Sequence, residues 1–199
     1  MGAMNKLGAA LAISSLSLAM FGCQNQNSSS SAPQTIKAAS TEQPSKHTKE
    51  LTPIDSLTVS DYSLNLCIKN TGRLYIEEIN ALICNNKGIQ YLDGIEQLTE
   101  LKSLHLNFNQ IEDISPILEL EKLNILYLSG NKIQNLEPLS ELTQLSELAI
   151  QKNNIEDISP LLSITSLKAL YARSNRIYDF SALHSLNLEI LSGENQQDS

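Results

Sequence analysis

Apolar residues recur along this chain in a fixed frame. Leu101, Leu123, Leu145 and Leu167 stand 22 residues apart, and each opens the pattern L-x-x-L-x-L-x-x-N-x-I-x-x-I-x-x-L-x-x-L. Leu101, Leu104, Leu106, Asn109, Ile111, Ile114, Ile117 and Leu120 fill it first; the copies from 123, 145 and 167 repeat it, with Ala172 and Phe180 as conservative changes. An earlier copy opens at Ile79 with Lys87 in place of the Asn, and Leu188 and Leu191 begin an incomplete one. Self-similarity at this period predicts a stack of like coils, none of which can bury its apolar side alone.

The L-x-L step turns two leucines to one face of a short strand. Stacked coils then form a parallel sheet with strands roughly 4.8 Å apart, and the x residues line its concave side. Asn109, Asn131, Asn153 and Asn175 fall at the turn after the strand. A buried amide there satisfies backbone donors and acceptors of adjacent coils, so the column is read as structural. Ser115-Pro116 and Ser159-Pro160, with Glu137-Pro138 as a variant, read as an N-cap followed by Pro at the first helical position, predicting a short helical turn on each convex side.

This frame resembles the leucine-rich repeat, and its 22-residue length with Ile-x-x-Ile-x-Pro-Leu is similar to the internalin-type class and related bacterial lipoproteins, over residues 79 to about 191. The expected fold class is an α/β solenoid: a right-handed leucine-rich-repeat array with a parallel concave sheet, short helical (3-10) turns on the convex side and an N-terminal helical cap. The resemblance implies a binding scaffold and is nearly silent on the partner.

At 199 residues, 41% hydrophobic and net charge −8, the chain has room for one modest core plus polar tether. The acidity and the scattered basic residues exclude a phosphate-backbone partner, so nucleic acid is set aside. Lys6 precedes an apolar run at 7–21 that ends in Gly22 and Cys23. The run is short for a membrane span and has the layout of an export signal. Gly22-Cys23 resembles the bacterial lipobox, which implies acylation of Cys23, and Gln24 by the same resemblance favours the outer membrane. The chain therefore divides into a signal peptide (1–22), a lipid-anchored flexible tether (23–52) with a reach of roughly 30 Å, an N-terminal cap (53–78) and the repeat domain (79–199). Its coils start at 79, 101, 123, 145 and 167, with a partial coil from about 188.

With Cys23 assigned to lipid, Cys67 and Cys84 remain as a pair. Export to an oxidising compartment favours a disulfide; two buried thiols are the alternative, because Cys84 occupies an inward column. Residues 61–70 read as an amphipathic helical turn over the open end of the core, with Tyr62, Leu64 and Leu66 as its apolar side chains.

Concave candidates follow from position in the frame. The column between the strand leucines is Ile83, His105, Tyr127, Ala149 and Tyr171, and beside it run Asn85, Asn107, Ser129, Gln151 and Arg173. Aromatic and Arg side chains anchor recognition surfaces, which selects His105, Phe108, Tyr127, Tyr171 and Arg173 for a protein partner. The alternatives are ordinary strand formers on a solvated sheet, or tyrosines that stack on glycan or cell wall. The acidic pairs Glu112-Asp113 and Glu156-Asp157 fall in no expected cleft and read as solvated; His47, His105 and His184 converge on nothing, and no Ser-His-Asp grouping is evident. No enzyme activity, metal or cofactor is expected.

Overall fold

The computed structural model describes residues 50–193. The signal peptide, Cys23 and nearly all of the tether lie outside the described residues.

Six three-residue strands form one parallel sheet in chain order: β1 (Ala81–Ile83), β2 (Ser103–His105), β3 (Ile125–Tyr127), β4 (Glu147–Ala149), β5 (Ala169–Tyr171) and β6 (Ile190–Ser192). The register keeps the sequence frame, so Leu82, Leu104, Leu126, Leu148, Leu170 and Leu191 lie side by side. Each central Leu points inward while its two neighbours point outward, as the pleat requires. The ladder extends past the strands through Leu106 N–H to Tyr127 C=O at 2.7 Å and Leu128 N–H to Ala149 C=O at 2.7 Å.

The inward columns make one continuous core, with Leu101, Leu123 and Leu145 fully buried among many like them. On the far side of each coil a 3-10 turn returns the chain: Ile95–Gln97, Ser115–Glu119, Glu137–Leu139, Ser159–Ser163 and Ser181–Ser185. The capping expected of Ser115 and Ser159 is corrected here. Both serines are already inside their turns; the N-cap positions are Ile114 and Ile158, which make no side-chain cap, and the turn start is bonded instead by the side chain one position before them. Asp113 Oδ1 accepts Ser115 N–H at 2.8 Å and its hydroxyl at 2.6 Å; Asp157 does the same for Ser159, Asp179 for Ser181, and Asn135 accepts Glu137 N–H. These bonds hold the Asp carboxyls below their ordinary range: Asp113 through the Ser115 hydroxyl and N–H, Asp157 through the Ser159 N–H and hydroxyl, and Asp179 likewise through Ser181.

Helix α1 (Tyr62–Lys69) lies over the first coil. Its buried face is Leu64 and Ile68, whereas Tyr62 and Leu66 are exposed. Of the three apolar side chains expected inward only Leu64 is buried, because a helix repeats at i, i+4 and pairs it with Ile68. Asp61 joins cap to solenoid. Its Oδ1 accepts Ser63 and Leu64 N–H at the helix start, and its Oδ2 accepts Gln90 N–H at 2.8 Å and Tyr91 N–H at 3.3 Å on the first coil. Cys67 and Cys84 form a disulfide across the same boundary, with Cα atoms 5.9 Å apart. Gly94, at φ +103°, lets the cap come close: a β-carbon there would sit 2.2 Å from the Thr58 carbonyl oxygen.

Candidate functional site

Two ladders hold the face where the strands end. In the buried one, Asn153 Nδ2 donates to the Leu128 carbonyl at 3.0 Å and the Ile150 carbonyl at 2.9 Å, while its Oδ1 accepts Ile133 N–H at 3.1 Å. Asn109, Asn131 and Asn175 repeat this, each binding a carbonyl of its own coil and one of the coil before. Asn109 Oδ1 also accepts Lys87 N–H and Ile89 N–H, so the coil that lacks the Asn is served by its neighbour. The residue before each Asn position turns left-handed: Asn86, Phe108, Gly130, Lys152 and Ser174 have φ between 54° and 72°. An outer ladder runs beside the strands. Asn85 Oδ1 accepts Asn107 N–H at 2.8 Å, Asn107 Oδ1 accepts Ser129 N–H at 2.9 Å, and the Ser129 hydroxyl donates to Gln151 Oε1 at 2.7 Å.

The strand column sets Ile83, His105, Tyr127, Ala149, Tyr171 and Ser192 in register on the open face of the sheet. The rings of His105 and Tyr127 are 4.4 Å apart at an interplanar angle of 45°. Ser103 Oγ lies 3.0 Å from His105 Nε2, and the Tyr127 hydroxyl donates to Glu147 Oε1 at 2.5 Å. That bond, with burial and the nearby charges of Glu147 and Tyr171, pushes the Tyr127 phenol up to about 12. Burial holds the His105 imidazole below its ordinary value, against the pull of Glu147. Ala149, between Tyr127 and Tyr171 in this column, is buried, and the two tyrosines stand in coils roughly 10 Å apart.

A family model for leucine-rich repeats, in two copies, matches residues 121–163. Among solved structures, an internalin (inlF) from Listeria monocytogenes aligns at 29% identity with a TM-score of 0.58, over 71% of this chain and 52% of that chain. Internalin C2 from the same organism aligns at 27% identity with a TM-score of 0.44, over 72% of this chain and 87% of that chain. The chain spans about half the length of the inlF structure. No curated protein matches it. The described domain is a leucine-rich-repeat solenoid.

Among the residues selected from the sequence, the repeat geometry brings His105 and Tyr127 into contact and sets Tyr171 two coils further along the same column. Arg173 is exposed beside it. Phe108 is exposed too, but it stands on the left-handed turn at φ 56° and folds across Gly130. Glu147 was missed, as was the Ser103–His105 contact. Each is an x residue on the near side of a strand leucine, and the signal was the same alternation that selected Tyr127.

The acidic pair at 112–113 needs correction. Glu112 and Asp113 do line a pocket, of about 230 Å³, with Gln90, Tyr91, Asp93, Gln110 and Lys132. A glycosidase pair still does not result. Asp113 is committed to Ser115 with its carboxyl held low, where a general acid needs it raised, and Glu112 lies 3.5 Å from Lys132.

Proposed function

We propose that this leucine-rich-repeat solenoid is a protein-binding module of the cell envelope, whose docking surface is the concave side of the sheet formed by His105, Phe108, Tyr127, Tyr171 and Arg173. One observation carries the reading: the Tyr127 ring on the open face of the sheet is fixed before any partner arrives by its bond to Glu147 and its contact with His105. A side chain that is already held loses little entropy on binding, and aromatic side chains are frequent anchors of protein interfaces. The internalin likeness supports the scaffold role and leaves the partner open.

Export and anchoring belong to the same proposal. The apolar run at 7–21 followed by Gly22-Cys23 supports acylation at Cys23, and Gln24 supports delivery to an outer membrane. Among the described residues no helix is long and apolar enough to cross a membrane, which fits an anchor supplied by lipid. The tether would then confine the module near its membrane and raise the effective concentration of a partner there.

Crosslinking of the intact protein on its native cells, compared with a Tyr127→Ala, Tyr171→Ala double variant, tests the docking surface. A protein captured only by the parent supports it. Capture indifferent to the double variant, or cosedimentation with purified cell wall that the tyrosines control, would move the function to another surface or to glycan binding. Loss of the membrane fraction on Cys23→Ser tests the anchor.

A further inference from the structure

Acidic side chains avoid the sheet face. Of the Asp and Glu between Glu50 and Glu189, only Glu147 falls in the segments 81–87, 103–109, 125–131, 147–153 and 169–175, and its carboxylate is engaged by Tyr127. The same segments hold Lys87, Lys152 and Arg173. Elsewhere most cations are neutralised in place: Lys69, Lys122, Lys132, Lys168 and Arg176 each lie 2.6–3.7 Å from a carboxylate, while Arg73 and Lys102 form no ion pair among the described residues. Lys87, Lys152 and Arg173 are exposed and form no ion pair among the described residues. A chain of net charge −8 thus keeps unpaired positive charge on one face.

The outer ladder points the same way. Backbone N–H groups, which can only donate, occupy Asn85 Oδ1 and Asn107 Oδ1. Those contacts fix the amide orientation and turn each side chain's NH₂ group, a donor, away from the occupied oxygen. The amides of Asn85 and Asn107 lie in the same two coils as exposed Ile83 and Phe108, and the cations Lys152 and Arg173 in the coils of Ala149 and Tyr171.

We infer that the partner presents an acidic polypeptide segment, its carboxylates and carbonyls against Arg173, Lys152 and the Asn85–Asn107 amides, and an apolar residue against Ile83 and Phe108. The inference rests on the protein-binding reading and names the chemistry of the partner. Polypeptide is favoured over an anionic polysaccharide because Ile83 and Phe108 offer a hydrated sugar acid neither a hydrogen bond nor a charge.

The test is selection of peptides from a random phage-displayed library on the full chain, with polygalacturonate as the polysaccharide probe. Selected peptides should be rich in Asp and Glu with a Leu, Ile or Phe to one side. They should bind about tenfold more weakly to a variant carrying Arg173→Glu and Lys152→Asn, Asn being suited to the left-handed turn, at an unchanged thermal midpoint. Peptides that depend on Tyr127 yet carry no acidic bias would overturn the inference and leave the protein-binding reading standing. Polygalacturonate bound with no peptide selected would overturn both.

Discussion

Phe108 lies across Gly130. A β-carbon at position 130 would come within 2.5 Å of Phe108 Cδ1, and Gly130 itself sits at φ +72°. Glycine is therefore needed twice, for the left-handed turn and for the ring. Gly130→Ala should lose about 1–2 kcal/mol from the backbone alone, lowering the thermal midpoint by roughly 2–8 °C, with more from the displaced ring. In a Phe108→Ala background the drop should shrink to the backbone part. Equal drops in both backgrounds, followed by circular dichroism, would show that ring and glycine do not compete.

The buried amides should be costly to remove. Asn153→Leu orphans the Ile133 N–H and leaves the Leu128 and Ile150 carbonyls with the amides of Asn131 and Asn175 alone. At about 1–3 kcal/mol for the buried N–H left unpaired, with a further loss from the two weakened carbonyls, urea unfolding should show a loss of at least about 1 kcal/mol. Tyr171→Ala, on the open face, should cost less than Asn153→Leu in the same measurement.

Asp61 gives the cap a pH dependence. Burial alone would raise its carboxyl, but hydrogen bonds from the N–H groups of Gln90, Leu64, Tyr91 and Ser63 bring it below the ordinary value. A folded pKa below the unfolded one means the stabilisation is present above about pH 4 and disappears as pH falls through the folded value. Asp61→Asn should therefore be less stable than the parent near neutrality, and the two unfolding curves should converge below about pH 4. A difference that stays constant down to pH 2 would place the effect elsewhere.

Spectrophotometric titration should single out one tyrosine. With Tyr127 near 12, its ionisation lags the ordinary tyrosines, and Glu147→Gln should bring it back towards 10 by removing both the charge and the bond to a carboxylate. An unaltered profile in that variant would mean that the Tyr127–Glu147 contact is not formed in solution.

The disulfide closes a loop between cap and first coil, with a sequence separation of 17. Loop-closure entropy assigns it about 3 kcal/mol. Reductant, or paired Cys67→Ser and Cys84→Ser, should lower the unfolding midpoint by that equivalent, and hydrogen exchange should rise first in α1. Uniform acceleration across all coils would indicate that the bond stabilises the array as one unit.

What the sequence disclosed was whatever the coils repeat. Leu104, Leu126 and Leu148 could be placed because each meets the same environment 22 residues later. The Asp113, Asn135, Asp157 and Asp179 column has that period too, yet Asp113 and Asp157 read as solvated charge, because Ser-Pro beside them satisfies a local capping rule and only the direction of the Ser115 and Ser159 N–H groups separates the two. Glu147 stayed hidden because a lone carboxylate on a strand is ordinary, and its meaning depends on Tyr127 one coil away. The pocket at Glu112 arises from Gln90 and Tyr91 in the neighbouring coil, in the most divergent copy of the frame. Non-repeating contacts between coils leave no mark in a periodic pattern.

Each amide of the Asn109, Asn131, Asn153 and Asn175 column reaches only its own coil and the one beside it. No bond in that column depends on how many coils there are. A gene for such an array can gain or lose a 22-residue unit in frame without disturbing the joints on either side, so the length of the docking surface is open to selection independently of the fold that carries it.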